Sequence, residues 1–178
     1  MCLKNNHFKV MNSEIVEIFK EYPESSKVWI FTANKEIEGN TVTQLSDYLS
    51  TFVDDWKRHG KKIDASYHIL WKKFVIIVST EKEVEASGCS QDAVLHFMQD
   101  EIAGLKFSPP NTICYKDENH ILQMSHTEFI KNIKRKRVFT PETEVFDTSI
   151  YKVTDLQRGL FVKTLKDSWH HEIFQKNQ

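Results

Sequence analysis

Glycine is scarce in this chain. Its 178 residues include five: Gly39, Gly60, Gly88, Gly104 and Gly159. A phosphate-cradling loop needs clustered glycines, either ahead of Lys-Ser/Thr in a P-loop or in the dinucleotide G-x-G-x-x-G run. No two of the five have either spacing, and Gly60-Lys61-Lys62 follows a predicted helix instead of opening one. A P-loop ATPase is excluded. Cysteine is scarce too. Cys2, Cys89 and Cys114 are odd in number and far apart, which fits reduced thiols in a cytoplasm and not a disulfide framework. The eight histidines are scattered, and neither Cys-x2-Cys nor His-Glu-x-x-His occurs, so no recognisable zinc motif is present. No apolar run approaches the roughly 20 residues of a membrane span. The stretch Met1 to His7 has no apolar core of a secretory signal. The formal net charge of −1 gives no global attraction to nucleic acid or to an acidic membrane.

What is present is a globular composition. The chain is 40% hydrophobic and 28% charged, enough to bury a real core in one domain. Residues 1–12 read as a flexible N-terminus. Ser13 can cap a short helix with Ile15, Ile18, Phe19 and Tyr22 on its apolar side, stopped by Pro23. Val28 to Thr32 is β-branched and aromatic, so it reads as a strand covered on both faces. Asn40 is a candidate cap for the most periodic segment of the chain. There Val42, Leu45, Leu49, Phe52, Val53 and Trp56 share a helical face, while Asp47, Asp54, Asp55 and Lys57 fall elsewhere. Gly60 is placed to end that helix.

Two strands follow, Ile63 to Trp71 and Phe74 to Val78. The Lys72-Lys73 turn between them lacks the Gly or Asn that a tight primed turn prefers. A second helix is expected from about Ser90, with Val94, Phe97, Met98, Ile102 and Leu105 inward, ended by Gly104 and Pro109-Pro110. The hairpin Thr112–Tyr115 and Ile121–Met124 can supply one more strand. Ser125 and Glu128 form a capping box that opens a helix ending in Lys134-Arg135-Lys136-Arg137. Val145-Phe146 is expected as an edge strand. The apolar tail from Leu160 to Phe174 is expected to dock on the core.

The order strand, helix, strand, strand, helix, strand predicts an α+β fold. Its core would be a ferredoxin-like βαββαβ sandwich with a C-terminal β-hairpin and helix extension. Residues 13–108 would form the N-terminal helix and the core. Residues 109–178 would be packed on it in a single compact unit.

The turn Ser87-Gly88-Cys89-Ser90-Gln91-Asp92 is the candidate site. A strand-to-helix turn presents backbone N–H groups and the positive end of a helix dipole to a ligand, and Gly88 lets a ligand approach the backbone. Ser87, Gly88, Cys89, Ser90 and Asp92 are its candidate binding residues. Cys89 is the candidate nucleophile, since a helix N-terminus favours a thiolate. Asp92 and the upstream Glu81, Glu83 and Glu85 oppose that charge, and a small residue filling a tight turn accounts for Cys89 equally well. The alternative is a binding module for RNA or protein. It would use the sheet face or the basic helix end, where Lys131, Lys134, Arg135, Lys136 and Arg137 could reach phosphates. The aromatic spacing of an RNA-recognition strand is absent from Phe74 to Val78. His170-His171 beside Asp167 and Glu172 could hold a metal weakly, or could simply be a polar tail. No cofactor is implied.

Four segments together resemble a known family. They are Val28-Trp29-Ile30-Phe31-Thr32-Ala33-Asn34; Phe52 to Gly60 leading to Asp64-Ala65-Ser66-Tyr67; Ala86 to Asp92; and Lys166-Asp167-Ser168-Trp169-His170 with Phe174. From about Val28 to the C-terminus the chain resembles a family of small bacterial proteins often labelled "ABC transporter ATPase". The resemblance points to the stretch around Cys89 and to the segments of Trp56, His59, Trp169 and His170 as hallmark positions. It carries no reaction with it. The label does not describe this chain, which has neither Walker motif nor the ABC signature.

Overall fold

A computed structural model describes residues 4–58, 60–80, 88–108, 112–134 and 139–176. In chain order the elements are α1 (Lys4–Phe19), β1 (Lys27–Ala33), α2 (Asn40–Asp55), β2 (Lys57–Arg58), β3 (Lys61–Lys62), β4 (Ala65–Leu70), β5 (Phe74–Ser79) and α3 (Gly88–Gln99). There follow β6 (Phe107–Ser108), β7 (Ile113–Asp117), β8 (His120–Met124), α4 (His126–Lys134), β9 (Glu144–Phe146), α5 (Val153–Gln157), β10 (Val162–Thr164), a 3-10 turn (Leu165–Asp167) and α6 (His170–Lys176). The fold is α+β with two larger antiparallel sheets. The chain divides into two compact units. The middle unit comprises Glu21–Pro110 with Ile150–Thr154, and the split unit comprises Met1–Lys20, Asn111–Ser149 and Asp155–Gln178. No described helix is long and apolar enough to cross a membrane.

In the middle unit the strands stand in the order β4-β5-β1-β6. Ile30 faces Ile76 and Tyr67 faces Ile77 across antiparallel ladders. Alternation along each strand sends Phe31, Ala33, Val75 and Ile77 into a core shared with Leu45 and Leu49 of α2 and Val94 and Met98 of α3. Val28, Ile30, Phe74, Ile76 and Val78, which project from the other face, are buried as well. This is why β1 and β5 are continuous apolar runs instead of alternating ones.

Several boundaries differ from the sequence reading. The strand that closes this sheet is Phe107–Ser108, which pairs with Ala33 and Thr32. The Thr112–Tyr115 and Ile121–Met124 hairpin belongs to the other sheet. The helix α3 begins at Gly88 and stops at Gln99. Ile102 and Leu105 still reach the core because they close a tight turn on each other, with N···O distances of 3.0 and 2.9 Å, through Ala103 and Gly104 at φ 53° and 72°. Gly60 adopts φ 78°, but it does so in the turn of the β2–β3 hairpin and not as a helix cap. The β4–β5 turn is a primed one after all. Trp71 and Lys72 hold φ 48° and 54°, and Lys73 N–H bonds Leu70 O at 3.0 Å. The carbonyls of Lys72 and Lys73 accept from Ile37 and Ala33 at 2.7 and 2.8 Å, which fixes the strained turn in place.

In the split unit the order is β10-β9-β7-β8, so Val145-Phe146 lies in an inner strand, not at an edge. Here α1 begins well before Ser13, since Met11, Ile15 and Phe19 continue one buried stripe at i, i+4 and i+8. The Asn12 amide completes the β10 edge: its Nδ2 donates to Val162 O at 3.0 Å, and Oδ1 accepts from Val162 N–H at 3.2 Å. Ser125 and Glu128 form the expected capping box on α4, with Glu128 N–H to Ser125 Oγ at 3.2 Å and Ser125 N–H to Glu128 Oε2 at 2.9 Å. The C-terminal tail is docked within this unit. Leu165 and Phe174 join Tyr115, Phe129, Ile133 and Val145 in the core of this unit.

Candidate functional site

In the middle unit a groove of about 640 Å³ opens between α2 and α3. From α2 and the residues just past it come Asp47, Tyr48, Thr51, Phe52, Asp55, Trp56 and Lys57, and α3 supplies Ala93 and Phe97. The sequence builds this wall by overlaying two stripes on one helix. Leu45 and Leu49 turn inward and are buried. Asp47, Thr51 and Asp55, spaced i, i+4 and i+8, form an exposed stripe beside them. Val42, expected on the apolar face, is 38% exposed. Phe52 sits where the two stripes meet.

Trp56 is the first residue past α2 and takes extended backbone geometry. It is held there from its C-terminal side. Ile63 N–H bonds Trp56 O at 2.9 Å, and Lys62 Nζ reaches Asp54 Oδ1 at 2.8 Å. Farther along α2, the Tyr67 hydroxyl of β4 donates to Ser46 O at 3.1 Å and accepts from Ser50 Oγ at 3.0 Å.

The aromatic rings form a ladder. Phe52 and Phe97 stack at 4.2 Å and 16°, Phe52 and Trp56 at 5.4 Å and 28°, and Trp56 meets Trp29 edge-on at 5.6 Å. Trp56 is buried, yet its indole Nε1 has no hydrogen-bond partner. Buried N–H groups almost always have one.

The polar groups of the groove are Asp47, Tyr48, Thr51, Asp55 and Lys57. Its described lining contains no His, Cys or Ser, and the Thr51 hydroxyl is directed to Asp47 O at 2.9 Å. The arrangement can bind an apolar body and a charged group.

The site residues expected from sequence are placed unevenly. Gly88, Cys89 and Ser90 are the first residues of α3, and Ser87 lies outside the described residues. Asp92 is exposed next to Ala93. Lys131 and Lys134 are exposed on α4, and Arg135, Lys136 and Arg137 lie outside the described residues, as does His59. On the sheet face, one of the two surfaces of the RNA or protein alternative, Val28, Ile30, Phe31 and the β5 apolar residues are buried. Among the described residues no group of three His, Cys, Asp or Glu side chains could hold a metal ion. His170 of the suggested metal grouping is fully buried.

That histidine belongs to a second cluster, in the split unit. Trp169 stacks on His170 at 3.8 Å, and His126 lies parallel to the indole at 6.0 Å. Trp169 Nε1 donates to Asp147 Oδ1 at 3.1 Å, and Lys163 Nζ lies 3.1 Å from Oδ2. Ser168 Oγ gives its proton to Leu165 O at 2.9 Å. It can therefore only accept from His170 Nδ1, 3.1 Å away. The tautomer with the proton on Nδ1 satisfies both bonds, and Nε2 is buried with no partner. Burial holds the His170 imidazole neutral, with its pKa lowered to about 4; Asp147 opposes that shift, while His126 and Lys163 add to it. A third grouping lies in the middle unit, where the Tyr22 hydroxyl contacts Ser66 Oγ at 2.6 Å and His68 Nε2 at 2.8 Å. Burial lowers the pKa of His68 as well.

Comparison with known proteins supplies no chemistry: no family model matches the chain, and neither a curated protein nor a solved structure does. The groove residues Asp47, Tyr48, Thr51, Asp55 and Lys57 escaped the sequence reading because each reads as a solvated helix residue. The one available signal was the i, i+4, i+8 repeat of Asp47, Thr51 and Asp55 beside the apolar face.

Proposed function

We propose that the middle unit is a small-ligand-binding module of a cytoplasmic protein, with its site in the α2–α3 groove. The unit is read as a ferredoxin-like sandwich. The antiparallel order β4-β5-β1-β6 supports this, with α2 in the β1-to-β4 connection and α3 in the β5-to-β6 connection. The observation that carries the binding reading is the Phe52–Phe97 stack on the floor of an open groove, next to a buried indole N–H that has no partner. Concave, largely apolar surfaces with a few polar groups are where small ligands bind. This shifts the site a short way along α3 from the turn at Ser87 to Asp92. Catalysis and thiol chemistry are not part of the reading.

The experiment is a titration of the 15N-labelled chain with a small aromatic probe, phenethylamine or 2-phenylethanol, following the Trp56 indole N–H resonance. The expected result is a saturable shift that disappears in Ala93→Trp, which fills the groove. A shift of equal size in that variant would refute the reading.

A further inference from the structure

We propose that the groove selects an aromatic amine, with its ring packed against the half-buried Phe52–Phe97 pair and the ammonium group beside Asp47 and Tyr48. This rests on the binding reading above and adds the class of ligand to it. Asp47 and Asp55 sit two turns apart on α2, roughly 12 Å along its axis, and both are exposed at the groove. Among the described lining residues the one cation is Lys57. It lies two residues beyond Asp55, at the Trp56 end and not at the Asp47 end. The Asp47 end keeps its negative charge. The Thr51 hydroxyl does not neutralise it, because its proton goes to the Asp47 backbone carbonyl.

Tyr48 is the second mark of this end. The residue is 55% exposed, on a helix whose neighbouring Leu45 and Leu49 are fully buried. An ammonium group is attracted to such a ring face and to a carboxylate at once. The ring of the same ligand finds a stacked aromatic floor one helical turn away, at Phe52. An anionic ligand would gain the floor and meet two carboxylates. A neutral one would gain the floor without the charge attraction.

Three probes share one ring and differ in charge: phenethylamine, 2-phenylethanol and phenylacetate. Each is titrated into the full chain, and the Trp56 indole resonance, assigned through Trp56→Phe, reports binding. Phenethylamine should bind most tightly and phenylacetate least. Asp47→Asn should weaken phenethylamine roughly threefold, the scale of one exposed charge interaction, and leave 2-phenylethanol unchanged. Added salt should act on phenethylamine in the same selective way. If 2-phenylethanol binds as tightly as phenethylamine and Asp47→Asn changes nothing, the amine assignment is overturned while the groove remains a binding site. If no probe moves the Trp56 resonance, both readings fail.

Discussion

Replacing His170 by phenylalanine should remove part of the acid sensitivity of the split unit. The imidazole is fully buried, its Nδ1 proton is committed to Ser168 Oγ, and its Nε2 faces no donor. The Phe129 ring meets it edge-on at 6.0 Å, so a proton added at Nε2 would enter apolar surroundings. The folded pKa, lowered to about 4, lies below the ordinary 6.5. Between those values the unfolded chain binds a proton that the folded chain refuses. Stability from this group is therefore complete above pH 6.5 and lost as pH falls from 6.5 towards 4. Over about 2.5 pH units, at ~1.4 kcal/mol each, the full loss is ~3.5 kcal/mol. His170→Phe keeps a ring against Trp169 and removes the titration. Urea unfolding of parent and variant at pH 7.5, 6, 5 and 4 should show the parent losing stability faster, with a gap that grows below pH 6.5. Parallel pH profiles would refute the account of His170 as a buried neutral base.

Three further outcomes follow from local geometry. Asn12→Ala should cost ~2 kcal/mol by urea unfolding, since it leaves the N–H and C=O of the fully buried Val162 without partners; an unchanged midpoint would mean that the Asn12 clasp on β10 is dispensable. Ser125→Ala should cost ~1 kcal/mol by opening the α4 capping box. The Glu128 carboxyl is held below the usual range first by the Ser125 backbone N–H and then by its hydroxyl, so the variant should raise its titration only in part, read by NMR. Lys72→Gly should raise stability by up to ~1 kcal/mol by relieving φ 54° at an exposed turn position; a lower melting temperature would show that the turn carries no such strain.

Local patterns were legible in the sequence wherever one stretch of chain decides its own structure. The α2 face declared itself through Leu45 and Leu49, and the strands through the unbroken runs Val28 to Thr32 and Phe74 to Val78. The α4 start was readable from Ser125 and Glu128, since a capping box closes within one turn. What could not be read depends on partners distant in sequence. Phe107-Ser108 is too short to signal a strand, and it is one only because Ala33 and Thr32 offer a free ladder edge. Lys4 to Asn12 reads as polar and loose until the stripe from Met11 to Phe19 is buried and Asn12 clasps Val162. Trp71 and Lys72 are poor primed-turn residues on propensity. The hydrogen bonds to Ile37 and Ala33 that hold them come from elsewhere in the chain.

The candidate site was illegible for a related reason. A helix N-terminus can be found from one segment, so the stretch around Gly88 drew attention first. A groove needs two walls, and its shape depends on which residue of one helix leaves room for the other. Here Ala93 is the smallest side chain in the lining, and Phe97, one turn further on, stacks flat against Phe52. A large residue at 93 would close the hollow. A residue other than an aromatic at 97 would leave Phe52 stacked on Trp56 alone. The hollow also persists because α2 ends at Asp55 and the chain turns away through extended Trp56 into the β2–β3 hairpin. That exit keeps the indole in the wall and strands its N–H without an acceptor. The cost of an unpartnered buried donor, about 1–3 kcal/mol, is then tolerated in the free protein. It is the kind of deficit that a ligand's acceptor, or a relaxation of the wall on binding, can relieve.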